Sequence, residues 1–297
     1  MVNRAKGFSK NCLFLLTLLF LMPLTEVMAF TDATYSGRTL ALGGSSITSI
    51  TSKGLNDGLS SNPAGLSVSQ KGVQLTHNNG YSLIGYGINV FSATWKIKKV
   101  GVGFIYNTEG AKLFEERKGE TKENFMGRTK LGFGFGHTVK NNIHYGVGLW
   151  HNNDNLRIND NQESLMKNRS STVADLGLSY IRDTWGIGMA VNTIPVYKLK
   201  EEISPTYSFG GFLGKSDNLI FMLDILIKQG SIGGREHLLR GGIEAWFLPN
   251  MALRLGIDEA SVLTTGLGVS KKNIQIDYAF KVHPVGNTHY ITMGYKF

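Results

Sequence analysis

A chain of 297 residues with 37 glycines, 6 prolines, and 31 basic against 22 acidic side chains is long enough to bury a sizeable core, and it is basic overall. The lysines are spread over turns instead of forming a stripe, which argues against nucleic acid as a partner. The single cysteine, Cys12, excludes a disulfide framework or a thiolate metal site in the residues that follow it.

Residues 1–29 read as a cleavable secretory signal peptide. Arg4, Lys6 and Lys10 make the basic end, Cys12 to Leu24 the apolar stretch, and Val27-Met28-Ala29 the small residues before a cut at Phe30. The apolar stretch falls short of the roughly 20 residues a spanning helix needs. Cys12 precedes it, which argues against a lipoprotein anchor. No later apolar run is long enough either, so the composition fits a β-barrel of the outer membrane.

Residues 30–70 are mostly Ser, Thr, Gly and Leu, with Gly43-Gly44 and a closing Asn62-Pro63-Ala64-Gly65-Leu66. Asn before Pro favours a side-chain-capped turn, Pro63 sets the first φ of a short helical turn, and Gly65 can end it. Two readings stand: a flexible leader, or a plug (hatch) inside the barrel's periplasmic end.

Residues 71–297 form the barrel. Fourteen alternating segments are predicted at 72–78, 87–97, 100–108, 127–138, 142–151, 171–181, 184–193, 205–214, 218–228, 236–247, 250–258, 262–270, 273–282 and 287–297. Each is near the length of a tilted membrane strand. Every other connection is short, as at Lys98-Lys99, Lys140-Asn141 and Lys271-Lys272. The connections between them include long polar loops from Thr108 to Met126 and from Asn152 to Ser170. Short inner turns and long outer loops are the barrel asymmetry.

Within the segments, large residues alternate with glycine. Leu131, Phe133 and Phe135 share one face and Gly132, Gly134 and Gly136 the other; Tyr145 to Leu149, Trp185 to Met189 and Gly266 to Val269 repeat the division. The large side suits lipid, and the small side a lumen occupied by a plug or ligand. The late segments put charges opposite their apolar rows, which predicts a lumenal network of Arg240, Glu244, Arg254, Asp258, Asp277 and Lys281. An Arg or Lys turned to lipid at the midplane would cost about 2–4 kcal/mol. The network either braces the wall or lines a substrate path. In the last stretch His289, Ile291, Met293, Tyr295 and Phe297 face one way. A terminal aromatic there resembles the signal read by the barrel-assembly machinery, and the final strand is expected to pair with the first.

Enzymatic signatures are missing. The histidines are scattered, with no His-Glu-x-x-His pair and no Gly-x-Ser-x-Gly elbow. No catalytic residue, metal or cofactor is expected.

Leu42-Gly43-Gly44 followed by Asn62-Pro63-Ala64-Gly65-Leu66 resembles the N-terminal region of the long-chain fatty-acid transporter (FadL) superfamily. Asp277-Tyr278-Ala279-Phe280 and Gly286-Asn287-Thr288-His289 are similar to the last hairpin of its PorV-like branch, which includes spirochaete proteins. The resemblance implies an all-β, 14-stranded antiparallel transmembrane β-barrel with an N-terminal plug, placed in the outer membrane and in contact with its lipid. It implies a passive transporter of small hydrophobic or amphipathic molecules, or else a PorV-like scaffold whose partner is a secreted protein. Ser60-Ser61 departs from the aromatic that relatives carry before the Asn-Pro-Ala motif. The outer loops also read as short for a dedicated fatty-acid capture site.

Overall fold

A computed structural model describes residues 35–47, 58–80, 86–117, 120–140, 142–159, 164–197, 204–215, 218–229, 234–282 and 286–297. The expected signal peptide lies outside them, as does part of the 30–70 segment. The strands are β1 (Gly72–Gly80), β2 (Tyr86–Ile97), β3 (Val100–Arg117), β4 (Glu120–Lys140), β5 (Ile143–Asn159), β6 (Ser164–Ile181) and β7 (Trp185–Pro195). They continue as β8 (Thr206–Gly214), β9 (Leu219–Gln229), β10 (Arg235–Leu248), β11 (Met251–Ile257), β12 (Leu263–Lys271), β13 (Ile274–Lys281) and β14 (Thr288–Lys296). Each pairs antiparallel with its sequence neighbours, and β14 returns to β1 to close the barrel. The closing ladder runs from Gly72 opposite Lys296 to Asn79 opposite His289. This is the fourteen-stranded antiparallel barrel that the alternation predicts. Closure leaves no strand edge in hydrocarbon.

The expected loops at Thr108–Met126 and Asn152–Ser170 are corrected by the structure. Here β3 and β4 stay paired as far as Arg117 opposite Glu120, and β5 and β6 as far as Asn159 opposite Ser164. A polar strand persists where water lies on both faces, provided its ladder partner continues beside it. The polar composition therefore marks where the hairpins leave the membrane, not where the strands end. The inner turns are tight, as expected: Lys98 and Lys272 take φ of 54° in two of them.

The outer face is apolar, with Phe133, Leu149, Ile187 and Met293 each about half or more exposed (54, 50, 58 and 56 %). A soluble protein rarely leaves so continuous an apolar band uncovered, and a bilayer is what covers it. At the inner rim aromatics and cations gather. Trp95 and Phe297 lie 6.2 Å apart between ring centres, Lys71 Nζ sits 4.8 Å over Trp95, and Arg182 stands over Tyr180. Such belts sit at the membrane–water boundary. The Phe297 N–H donates to the Lys71 carbonyl at 3.1 Å, so the last residue helps tie the seam. Phe297→Ala is expected to lower the assembled fraction several-fold, read as heat-modifiable migration on gels. Unchanged assembly would show that the terminal ring is dispensable.

Inside lie two short helices, α1 (Gly37–Ala41) and α2 (Gly58–Ser61), and a 3-10 turn (Pro63–Ser67). Ser36 caps α1, its hydroxyl accepting from the Thr39 N–H; Asn62 caps the 3-10 turn, its carbonyl accepting from the Ala64 N–H at 3.1 Å, with Pro63 first in the turn. Gly65 does not end this turn, contrary to expectation. The turn runs on to Ser67, whose hydroxyl donates to the Ala64 carbonyl at 2.9 Å, and Leu66 packs against the wall. α1 rests on β11 to β14, and the 3-10 turn on β2 to β6.

The glycine faces form the floor these elements rest on. A Cβ on Gly101 would overlap the Leu66 carbonyl, one on Gly146 the Pro63 carbonyl, and one on Gly256 the backbone of Leu42 and Gly43. Gly43 and Gly44 have φ of 69° and 80°, in the left-handed region that glycine adopts freely. That turn lets the chain leave α1 while Gly43 N–H donates to the Thr264 hydroxyl at 3.1 Å.

Candidate functional site

The six charges predicted to face the lumen all do so, and all are buried. They do not form one network. Glu244 and Arg254, opposite each other on β10 and β11, are joined by an Nε–Oε2 bond of 2.7 Å, and Arg254 Nη1 reaches Asp277 on β13 at 2.8 Å. Asp258 and Lys281 form a separate pair. Asp258 Oδ1 also accepts from the N–H groups of Ala260 and Val262, closing the turn after β11. Arg240 belongs to a third group. Trp246, on the same row of β10 as Arg240 and Glu244, donates its indole N–H to Glu244 at 3.1 Å.

Sequence reasoning missed the residues that tie these groups to the inner segment. Arg38 of α1 donates Nε to Glu244 at 2.8 Å and Nη2 to its other oxygen at 3.2 Å. One carboxylate thus serves two guanidiniums, Arg38 and Arg254. Asp224 on β9 accepts from the N–H groups of Ser46 and Ile47 at 2.7 and 3.1 Å, and lies 3.7 Å from Arg240 Nε. Arg240 Nη1 donates to the Tyr35 hydroxyl at 2.6 Å, and Glu259 stands 3.9 Å away. The plug-motif residues sit against the wall: Gly43 under Ile257 and Gly241, Gly44 beside Arg240, and Asn62 with its amide on the Ile47 carbonyl at 2.9 Å.

On the far side of these elements the lumen opens into a cavity of about 720 Å³. Tyr35, Ile47, Ser60 and Ser61 form its floor, and β4 to β10 its walls. Its apolar residues are Ile47 in the floor and Trp150, Val173 and Leu226 in the walls. Charge is plentiful. Arg128 and Asp154 pair at 2.6 Å across β4 and β5, and Lys228 of β9 pairs with Glu259 at 3.2 Å.

One wall of the cavity carries the ladder's mid-wall irregularity. Ala174 lies opposite Ile194 but Leu176 opposite Val191, so β7 holds one extra residue, and Thr193 takes a φ of 63°. A β-branched residue at that φ costs about 1–3 kcal/mol and needs external support. Asp175 supplies it: one carboxylate oxygen accepts from the Thr193 N–H at 2.8 Å, the other from the Trp150 indole at 2.7 Å. Asn192 then donates to the Ser61 carbonyl at 3.2 Å, joining the bulge to the inner segment.

A closed barrel with a greasy outside, an occupied inner end and a cavity above it defines a transmembrane β-barrel. The fold is similar to that of solved FadL-type barrels. The Pseudomonas putida toluene transporter TodX matches with a TM-score of 0.62 at 13% identity, over 89% of this chain and 98% of that one. A Pseudomonas aeruginosa FadL homologue matches at 0.63 and 10%, over 92% and 100%. The CymD monoaromatic hydrocarbon channel matches at 0.59 and 13%, over 91% and 99%. No family model and no curated protein matches the chain. These likenesses concern the fold, and they do not bear on the PorV-like branch.

Proposed function

We propose that this chain is a passive outer-membrane transporter of small amphipathic molecules, with its N-terminal segment acting as the plug. The observation that carries the reading is the 720 Å³ cavity inside a closed, lipid-facing barrel, floored by Tyr35, Ile47, Ser60 and Ser61. A molecule entering from the outer side meets that floor before it meets the inner rim. The solved barrels of this fold include a toluene transporter and a hydrocarbon channel, which favours transport over catalysis for this chain. The ion pairs among the apolar residues of the lining favour amphipathic cargo over plain hydrocarbon, because an apolar molecule would strip water from them and give nothing back. The Glu244–Arg254 group braces wall and plug and is not the path: Glu244 and Arg254 are 0 and 1 % exposed. The terminal strand, capped by Phe297, is the part offered to the barrel-assembly machinery.

Deletion of residues 31–67 is expected to raise conductance in reconstituted bilayers while the barrel keeps its heat-modifiable migration. An intact barrel with unchanged conductance would remove the plug reading.

A further inference from the structure

The cavity carries charges of both signs, close together on several strands. Arg128, Lys130, Arg169, Lys228 and Arg240 line it, as do Asp154, Asp175 and Glu259. Two further carboxylates stand against these cations: Glu109 lies 3.8 Å from Lys130, and Asp224 lies 3.7 Å from Arg240. Five cations thus face five carboxylates. The accessible groups are Arg128 and Asp154 on β4 and β5 (35 and 40 % exposed), Lys228 on β9 (31 %), and the exposed Arg169 on β6, which lies opposite Asp154 in the ladder. Along the shorter way round the barrel three strands separate β5 from β9, so the two paired sets stand on different parts of the cavity wall.

This arrangement discriminates by charge type. A bare anion can approach Arg128, Arg169 or Lys228 only by also approaching Asp154 or Glu259, and a bare cation at Asp154 meets Arg128 and Arg169 on either side. At separations of about 4 Å near a protein surface, each such like-charge approach is worth a few kcal/mol and cancels most of the gain. A hydrocarbon desolvates the pairs without replacing their hydrogen bonds. A molecule carrying both charges close together can donate to a carboxylate and accept from a guanidinium or ammonium at once, leaving the balance intact. The hydroxyls of Ser170, Ser171 and Thr206 add donors and acceptors of either polarity, while Trp150, Val173 and Leu226 give an attached apolar group somewhere to rest.

We propose that the cavity is a binding site for small zwitterions bearing an apolar group, and that Arg128 and Asp154 set this preference. The inference rests on the transport reading above and narrows its cargo. It sets this chain apart from a channel for uncharged hydrocarbon.

The test uses four probes that share a phenyl ring and differ in the head: phenylalanine, phenylacetate, phenethylamine and toluene. Equilibrium binding is measured on the full-length protein in lipid nanodiscs, with empty nanodiscs subtracted. Saturable binding of phenylalanine at least tenfold tighter than the other three is expected. The Arg128→Gln/Asp154→Asn double variant, checked for an intact barrel by heat-modifiable migration, is expected to lose that margin. The single Asp154→Asn variant is expected to shift preference toward phenylacetate, a result that a merely structural role would not produce. Saturable binding of toluene or phenylacetate at least as tight as phenylalanine overturns the inference, and so does saturable binding of none of the four. Neither outcome touches the plug reading, which stands or falls on the conductance of the 31–67 deletion.

Discussion

Replacing Glu244 by alanine is expected to cost about 3–5 kcal/mol of barrel stability, the typical penalty for removing one partner of a buried ion pair. The site is unforgiving because one carboxylate balances two guanidiniums, Arg38 at 2.8 Å and Arg254 at 2.7 Å, with the Trp246 indole on its second oxygen. Without it, Arg254 keeps Asp277, but Arg38 loses its two bonds to Glu244. Glu244 is fully buried and Arg38 is 3 % exposed, so water has little access to replace what is lost. Glu244→Gln restores an acceptor but no charge, and is expected to recover less than half of the loss. Asp277→Asn is the milder comparison, because Gln275 remains beside it at 2.5 Å and Arg254 keeps Glu244. The measurement is the urea midpoint of unfolding in detergent. A Glu244→Ala barrel within about 1 kcal/mol of the parent would mean that the guanidiniums find water, and that the network is not a brace. Because Arg38 belongs to the inner segment, the same variant is also expected to raise conductance.

How much of this was legible depends on which physical signal each part leaves in the chain. The wall was readable because lipid on one side and a tight floor on the other force a two-residue period, as in Leu131 to Gly136. The charges on β10 to β13 were readable for the same reason, since Arg254 between Leu253 and Leu255 has one inward side to choose. Their partition into three groups was not, because register and side-chain reach decide who meets whom. Asp224 did leave a signal: it is a lone carboxylate in Leu219–Gln229, on the same face as Ile220, Met222 and Leu226, where only an inward position with donors tolerates it. Its donors, however, are backbone groups of Ser46 and Ile47, which no periodicity announces. Arg38 was hidden in the same way, as one cation in a run of small residues whose partner lies 206 positions on. The long hairpins were misread because a strand that rises into water has the composition of a loop. Gly65 was misread because glycine ends a turn only where nothing beyond it packs, and Leu66 packs on the glycines of β3 and β4.

Those glycines make the second large prediction, and two opposing effects have to be weighed. Valine in place of a strand glycine improves local β preference by up to about 1 kcal/mol. At Gly146, however, the new Cβ would overlap the Pro63 carbonyl and lie 2.6 Å from the Ala64 nitrogen; at Gly101 it would overlap the Leu66 carbonyl and lie 3.0 Å from the Ser67 nitrogen. These obstacles are backbone, so no rotamer change relieves them. The wall is held by ladders on both sides, whereas the 3-10 turn is held by its cap and by packing, so the turn is the part that moves. Gly146→Val and Gly101→Val are therefore expected to leave a folded barrel whose conductance approaches that of the 31–67 deletion. Gly87→Val is the control, because its Cβ would meet nothing nearer than the Asn78 carbonyl at 3.5 Å, an ordinary contact. It should conduct like the parent and unfold no more easily. Parent-like conductance in Gly146→Val, with the barrel intact, would mean that the turn slides without opening a path, and that the glycine floor sets how the segment packs but not whether the lumen is closed.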